Sequence, residues 1–154
     1  MKKVVLVAFA IGAAILLAAC ERNSGPVLET LDGDRIVIGQ QDGKTLFINY
    51  WAEWCAPCRD EIPELNELYQ EHGDRLIVLA VNADGVSGET LAGQLERMGI
   101  EFPSLPGDPR PIWGQTPTGA LPETLVITPE GELHDVLLGA QTGEDLLAIL
   151  EAMP

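Results

Sequence analysis

A short apolar run, Leu46-Phe47-Ile48-Asn49-Tyr50-Trp51, leads into Trp54-Cys55-Ala56-Pro57-Cys58, and a pattern with Ile62, Leu65, Leu68 and Tyr69 on one helical face follows. The order is strand, tight turn and helix, with both cysteines in the first helical turn. That arrangement constrains fold and chemistry together. The first amides of a helix have no intrahelical partner and carry partial positive charge, so a thiolate placed there is stabilised and its pKa falls. Cys55 is therefore the expected nucleophile. Cys58 lies one turn further in, where its sulfur reaches Cys55 to resolve a mixed disulfide and where less exposure is expected.

Spacing alone leaves three readings of the pair: a redox dithiol, half of a zinc site, or a small structural disulfide. A zinc site needs two further ligands, and the chain offers only His72 and His134, far apart and outside any His-x-x-x-His arrangement. A structural bridge across so short a loop contributes little stability. Redox exchange leads among the three.

The 154 residues leave room for one domain. Met1 to Ala19 stand outside it: Lys2 and Lys3 supply a positive end, Val4 to Leu17 an apolar core, and Ala18-Ala19 a small-residue exit, the pattern of an export signal. The alternative is an uncleaved anchor, although the apolar run falls short of the ~20 residues of a comfortable span. Leu17-Ala18-Ala19-Cys20 resembles the lipobox of bacterial lipoproteins. That resemblance implies that Cys20 is acylated and becomes the new amino terminus, with two acyl chains sufficient for stable anchoring. It also accounts for the odd cysteine among three, leaving only the redox pair. The expected division is a signal peptide at 1–19, a lipidated tether at 20–26 ending in the polar Asn23-Ser24-Gly25-Pro26, and a domain at 27–154. Glu21 after the lipidation site does not decide between inner and outer membrane.

There are 24 acidic against 9 basic side chains, a net charge of −15 that becomes more negative once Lys2 and Lys3 leave with the signal. Phosphate backbones are repelled, which excludes nucleic acid as a partner. Anionic lipid is disfavoured beyond the acyl anchor, and the acidity serves solubility.

Val27 to Leu31 and Arg35 to Ile38 are β-rich runs around the turn Asp32-Gly33-Asp34, read as a hairpin added to the edge of the main sheet. Asn49 interrupts the apolar strand and is read as a buried, hydrogen-bonded amide without proton chemistry. Glu61, three residues after Cys58, shares its helix face. A carboxyl group in an apolar setting beside a thiol exchanges protons with it, whereas a first-turn acid is ordinarily solvated; spacing does not separate the two. Pro63 is expected to kink the helix without necessarily ending it.

Phe47-Ile48-Asn49-Tyr50-Trp51-Ala52-Glu53-Trp54-Cys55-Ala56-Pro57-Cys58-Arg59-Asp60-Glu61-Ile62-Pro63 resembles the active-site stretch of the thioredoxin superfamily, in particular its exported TlpA, ResA and DsbE/CcmG-like branch. The resemblance covers residues 27 to 154. It implies a thioredoxin-like α/β fold, a central mixed β-sheet flanked by helices with an N-terminal β-hairpin and an inserted helix. Trp54 and Pro57 are implied to support the active site. Asn49 stands where cytosolic members carry a buried aspartate, and Glu61 matches the glutamate of the exported branch, which makes it the implied proton-handling acid.

Leu76 to Val81 form a continuous apolar run suited to a parallel strand covered on both faces. Glu89 to Gly99 place Leu91, Leu95 and Met98 at helical spacing, with Gly99 as the stop and Met98 in the core rather than on a metal. Five prolines between Pro103 and Pro117 leave a surface segment with at most one helical turn around Ile112-Trp113. Trp113 either covers the core or belongs to a partner surface, the first being favoured. Leu121-Pro122-Glu123-Thr124 precedes the strand Leu125-Val126-Ile127. The family resemblance implies that Pro122 is cis and faces the sulfurs, so that the Leu121 backbone pairs with an extended substrate. Glu132 to Leu138 read as the returning antiparallel strand, and a last helix starts at Thr142 with Asp145 as capping-box partner. There is no internal repeat and no Gly-rich phosphate loop.

The reading is an extracytoplasmic, membrane-anchored thiol-disulfide oxidoreductase, a monomer, cycling Cys55 and Cys58 between disulfide and dithiol with no organic cofactor or metal. Resemblance favours the reducing direction, with disulfide-bearing exported proteins as partners and a membrane thiol donor of the DsbD or CcdA kind. Pro122-Glu123-Thr124 resembles cytochrome c maturation proteins, which makes an apocytochrome c thiol reductase the alternative. A copper metallochaperone on the same fold is the competitor from another class; such carriers space the cysteines by three and add a histidine, whereas this chain has two intervening residues and His134 at an undetermined distance.

Overall fold

The computed structural model describes residues 25–153, so Cys20 and the expected signal peptide lie outside the described residues. β3 (Thr45–Trp51) is buried along its whole length, as its apolar sequence requires. It is flanked by β4 (Leu76–Asn82), to which it pairs in parallel, and by β5 (Glu123–Ile127), to which it pairs antiparallel. β6 (Leu133–Leu138) completes the order β4-β3-β5-β6 by antiparallel pairing with β5. Asn49 sits opposite Ala80 on one side and Thr124 on the other.

Among the described residues three α-helices accompany the sheet: α1 (Ala56–His72), α2 (Gly88–Met98) and α3 (Gly143–Ala152). The two-residue alternation of β3 divides its side chains. Phe47 and Trp51 join Ile62, Leu65, Leu91, Met98 and Leu146 in a core that the three helices share. Ile48 and Tyr50 join Leu79, Val81, Leu125 and Ile127 in a second core. α1 continues through Pro63. α2 stops at Gly99, which adopts the left-handed conformation (φ 69°) and donates its amide to Glu96. Beyond it the chain returns to the outer edge of β4 at Ser104, paired in parallel with Ala80.

β1 (Val27–Glu29) and β2 (Arg35–Val37) form a two-stranded antiparallel sheet of their own. The expectation that this hairpin extends the main sheet is corrected. Ser104 occupies the edge of β4, and the hairpin reaches it through a single bond from the Leu31 amide to the Ser104 carbonyl, 2.8 Å. Its apolar residues Leu28 and Ile38 instead pack onto the second core. Trp113, at the end of a 3-10 turn Arg110–Trp113, packs against that core and donates its indole N–H to the Gly131 carbonyl at 2.9 Å, so its covering role holds. Among the described residues no helix is long and apolar enough to cross a membrane.

Candidate active site

β3 delivers the chain to a turn from which α1 starts, and Cys55 is the N-cap, in extended conformation (φ −80°, ψ 106°). Pro57 sits in the first helical turn, where a missing N–H costs no intrahelical bond. The Cys55 sulfur accepts the Cys58 amide at 3.2 Å, so the sulfur occupies the cap position that a serine or aspartate oxygen commonly fills. An anionic sulfur at this place would be stabilised by the helix end and by that N–H, which suits Cys55 to the part of nucleophile and leaving group. The two cysteines are joined, S–S 2.03 Å. Cys58 is completely buried and Cys55 is 3 % exposed, so the expected order holds while both sulfurs lie below the surface.

Glu61 is 1 % exposed, on the buried face of α1. The Asn49 side-chain amide donates to its Oε2 at 2.8 Å and the Gln141 backbone amide to its Oε1 at 2.9 Å. The same Asn49 amide donates to Thr124 Oγ1 at 3.0 Å. Burial pushes the Glu61 carboxyl up to about 7, against the pull of the two hydrogen bonds. It is therefore not the solvated first-turn acid, and Asn49, read as chemically silent, is bonded directly to it.

Trp54 is 69 % exposed, with its indole N–H held by Asp84 at 3.0 and 3.3 Å. The Leu121-Pro122 bond is cis. Pro122 is buried and its carbonyl accepts the Gly139 amide at 2.9 Å, while Leu121 is half-buried. Trp54 and Leu121 line a common cleft of ≈ 300 Å³.

An ionic cluster in the wall of that cleft escaped the sequence reading. Arg110, 4 % exposed, donates from Nε to Glu123 Oε1 at 3.1 Å and from Nη1 to Asp108 Oδ2 at 2.9 Å. Its guanidinium lies 3.4 Å from the centroid of the Tyr50 ring, and the Tyr50 hydroxyl donates to Asp108 Oδ1 at 2.8 Å. Burial, with the Asp108 hydrogen bond behind it, raises the Tyr50 hydroxyl far above its ordinary value and keeps it protonated. The Thr118 amide and hydroxyl serve the remaining oxygen of Glu123. With both oxygens occupied, Glu123 fixes the proline-rich segment to β5. The one sequence signal was Asp108-Pro109-Arg110 within an otherwise uncharged stretch.

His72 ends α1, and His134 is exposed on β6. Among the described residues no group of three or more His, Cys, Asp or Glu side chains is placed to hold a metal ion.

The AhpC/TSA family matches residues 25–136. Curated relatives include the thiol-disulfide oxidoreductase ResA of Geobacillus kaustophilus, 32 % identical over 130 residues that cover 82 % of this chain and 73 % of the relative. Among solved structures, a DsbF homologue from Corynebacterium diphtheriae superimposes with a TM-score of 0.68 at 27 % identity, over 84 % of this chain and 85 % of that one. The pneumococcal exposed lipoprotein thioredoxin of Streptococcus pneumoniae gives a TM-score of 0.63 at 26 % identity, over 83 % of this chain and 98 % of that one.

Proposed function

The chain belongs to the AhpC/TSA family of thioredoxin-like proteins and is a thiol-disulfide oxidoreductase of the ResA type, and from that premise we propose that it reduces disulfides of exported proteins while anchored to a membrane through Cys20. The observation that carries the proposal is a sulfur capping α1 with a buried carboxyl group on the same helix, three residues beyond the second cysteine.

In the reduced enzyme the Cys55 thiolate attacks a partner disulfide, forming a mixed disulfide and releasing one partner sulfur as a thiolate. The Cys58 thiol gives its proton to the Glu61 carboxylate, and the resulting thiolate attacks the Cys55 sulfur. That step closes the Cys55–Cys58 disulfide and frees the second partner sulfur, which takes up a proton. Two electrons pass to the partner. Trp54 and Leu121 form the rim on which an extended partner segment lies, with the Leu121 backbone as its pairing edge and Pro122 beneath it. Return to the dithiol requires a membrane thiol donor of the DsbD or CcdA kind. The lipobox-like Leu17-Ala18-Ala19-Cys20 supports anchoring on the extracytoplasmic face. The relative described as an exposed lipoprotein is consistent with it.

Apocytochrome c is the second reading of the partner, favoured by Pro122-Glu123-Thr124. Replacing Cys58 with Ala removes the resolving sulfur, so the physiological partner accumulates as a mixed disulfide on Cys55 and is identified by mass spectrometry. Exported proteins with target disulfides are the expected catch. A Cys55 that captures nothing in cells overturns the reductase reading, and copper held by the reduced pair in titration would favour the carrier instead.

A further inference from the structure

Glu61 faces two donors. The Gln141 amide points at Oε1 and the Asn49 amide at Oε2, an arrangement that serves an ionised carboxylate, which accepts at both oxygens. Once a proton is added, one of those oxygens becomes a donor, and neither partner offers it an acceptor as the groups stand. An acceptor is gained if one of the two partners turns. The Gln141 N–H is backbone, and the next segment is tied down as well, since the Gly143 amide donates to Glu64 Oε2 at 3.1 Å. The Asn49 carboxamide is a side chain, and a half-turn about its Cβ–Cγ bond exchanges nitrogen and oxygen without moving the strand.

Two further facts suit such a turn. The Asn49 Oδ1 is buried and has no hydrogen-bond partner, although a buried amide oxygen ordinarily has one. The second acceptor of its Nδ2 is the Thr124 hydroxyl, which can donate as readily as it accepts. After the half-turn, Oδ1 accepts from the Glu61 O–H and from the Thr124 O–H, so both bonds on that side survive with their direction reversed, and the amide nitrogen takes the place where Oδ1 had no partner. We propose that Asn49 is a positioning residue whose carboxamide turns over with each proton that Glu61 gains or loses, with Thr124 as the hydroxyl that reverses alongside it. It touches no reacting sulfur in this scheme and acts through Glu61.

The groups bonded to Glu61 are the Asn49 side chain on β3 and the Gln141 amide before α3, with Thr124 of β5 reached through Asn49, none of them charged. On its own helix Cys58 is disulfide-bonded, and Glu64 is turned to the Gly143 amide. At the start of α3, Asp145 is engaged by Thr142 in the capping box. The turnover therefore follows the Glu61 proton rather than a neighbouring charge.

This inference rests on Glu61 as the proton-handling acid, and one experiment separates the two claims. In isotope-labelled, full-length oxidised protein, the Glu61 carboxyl carbon and the Asn49 side-chain amide are followed by NMR through a pH titration centred on about 7. The expected result is a shared midpoint, with the contacts from the Asn49 amide protons to Thr124 lost on the acid side. In Glu61→Gln, whose neutral amide needs one donor and one acceptor, the Asn49 signals are expected at their acid-side positions at every pH. If Glu61 titrates while Asn49 stays unchanged, the turnover is overturned and the acid reading survives. If Glu61 does not titrate across that range, both fall.

Discussion

Glu61 couples a proton to the stability of the domain. Burial holds its carboxyl at about 7 when folded, against an ordinary value of 4.5, so between those two values the folded chain holds a proton that the unfolded chain has released. Stability therefore falls as pH rises through that window, by about 3 kcal/mol in total, and the contribution is fully present only below the unfolded value. Denaturant melts of Glu61→Gln should lose this slope and should be more stable than the native protein at mildly alkaline pH. The same substitution should slow resolution of the mixed disulfide by about 10²-fold or more, the usual worth of a positioned acid or base, and should remove the inflection near neutrality from the rate profile. Stopped-flow reduction of a model disulfide across pH checks both. That Glu61 shares the buried face of α1 with Cys58 was legible from a three-residue spacing. Its other partner, the Gln141 amide, lies 80 residues further on and is brought there only by the packing of α3 on α1, which no local pattern encodes.

At the scale of elements, the regular pieces were readable because each carried its own signal. β3 and β4 are apolar throughout, Gly99 ends α2, and Thr142 with Asp145 opens α3. The proline-rich segment was not readable in the same way. Its organising group is Arg110, and the carboxylates that hold it come from two residues before and from the start of β5. A single arginine in an irregular stretch announces nothing about burial. Arg110→Ala would leave Glu123 buried with one oxygen uncompensated, and the expected loss is about 3–5 kcal/mol, measured by chemical denaturation. Arg110→Lys should recover only part of it, because an ammonium cannot address both carboxylates in the planar geometry of the guanidinium. On the other core, Leu146 fastens α3 against the sheet-facing side of the helices, and Leu146→Ala should cost about 2–5 kcal/mol in the same assay.

For the whole molecule, a strongly acidic chain carries a redox pair that lies below its surface, so on the proposed reading partners are selected by what fits the rim at Trp54 and Leu121 and not by general attraction to anions. The separate N-terminal sheet belongs to the same picture. It was foreseeable as a hairpin from Asp32-Gly33-Asp34, but its place on the second core depends on Ser104 having already taken the edge of β4. The direction of electron flow depends on how far the Cys55 thiolate is stabilised over the disulfide, a balance that local sequence does not set. The decisive measurement is equilibration of the protein in thiol buffers of graded potential, with mass spectrometry counting alkylated sulfurs. The expectation is that Cys55 and Cys58 become reactive together in one two-electron transition, at a potential nearer the ~−270 mV of thioredoxin than the ~−120 mV of a strong oxidant. A pair that stays joined at every potential, or a transition at the oxidising end, would contradict a reducing carrier.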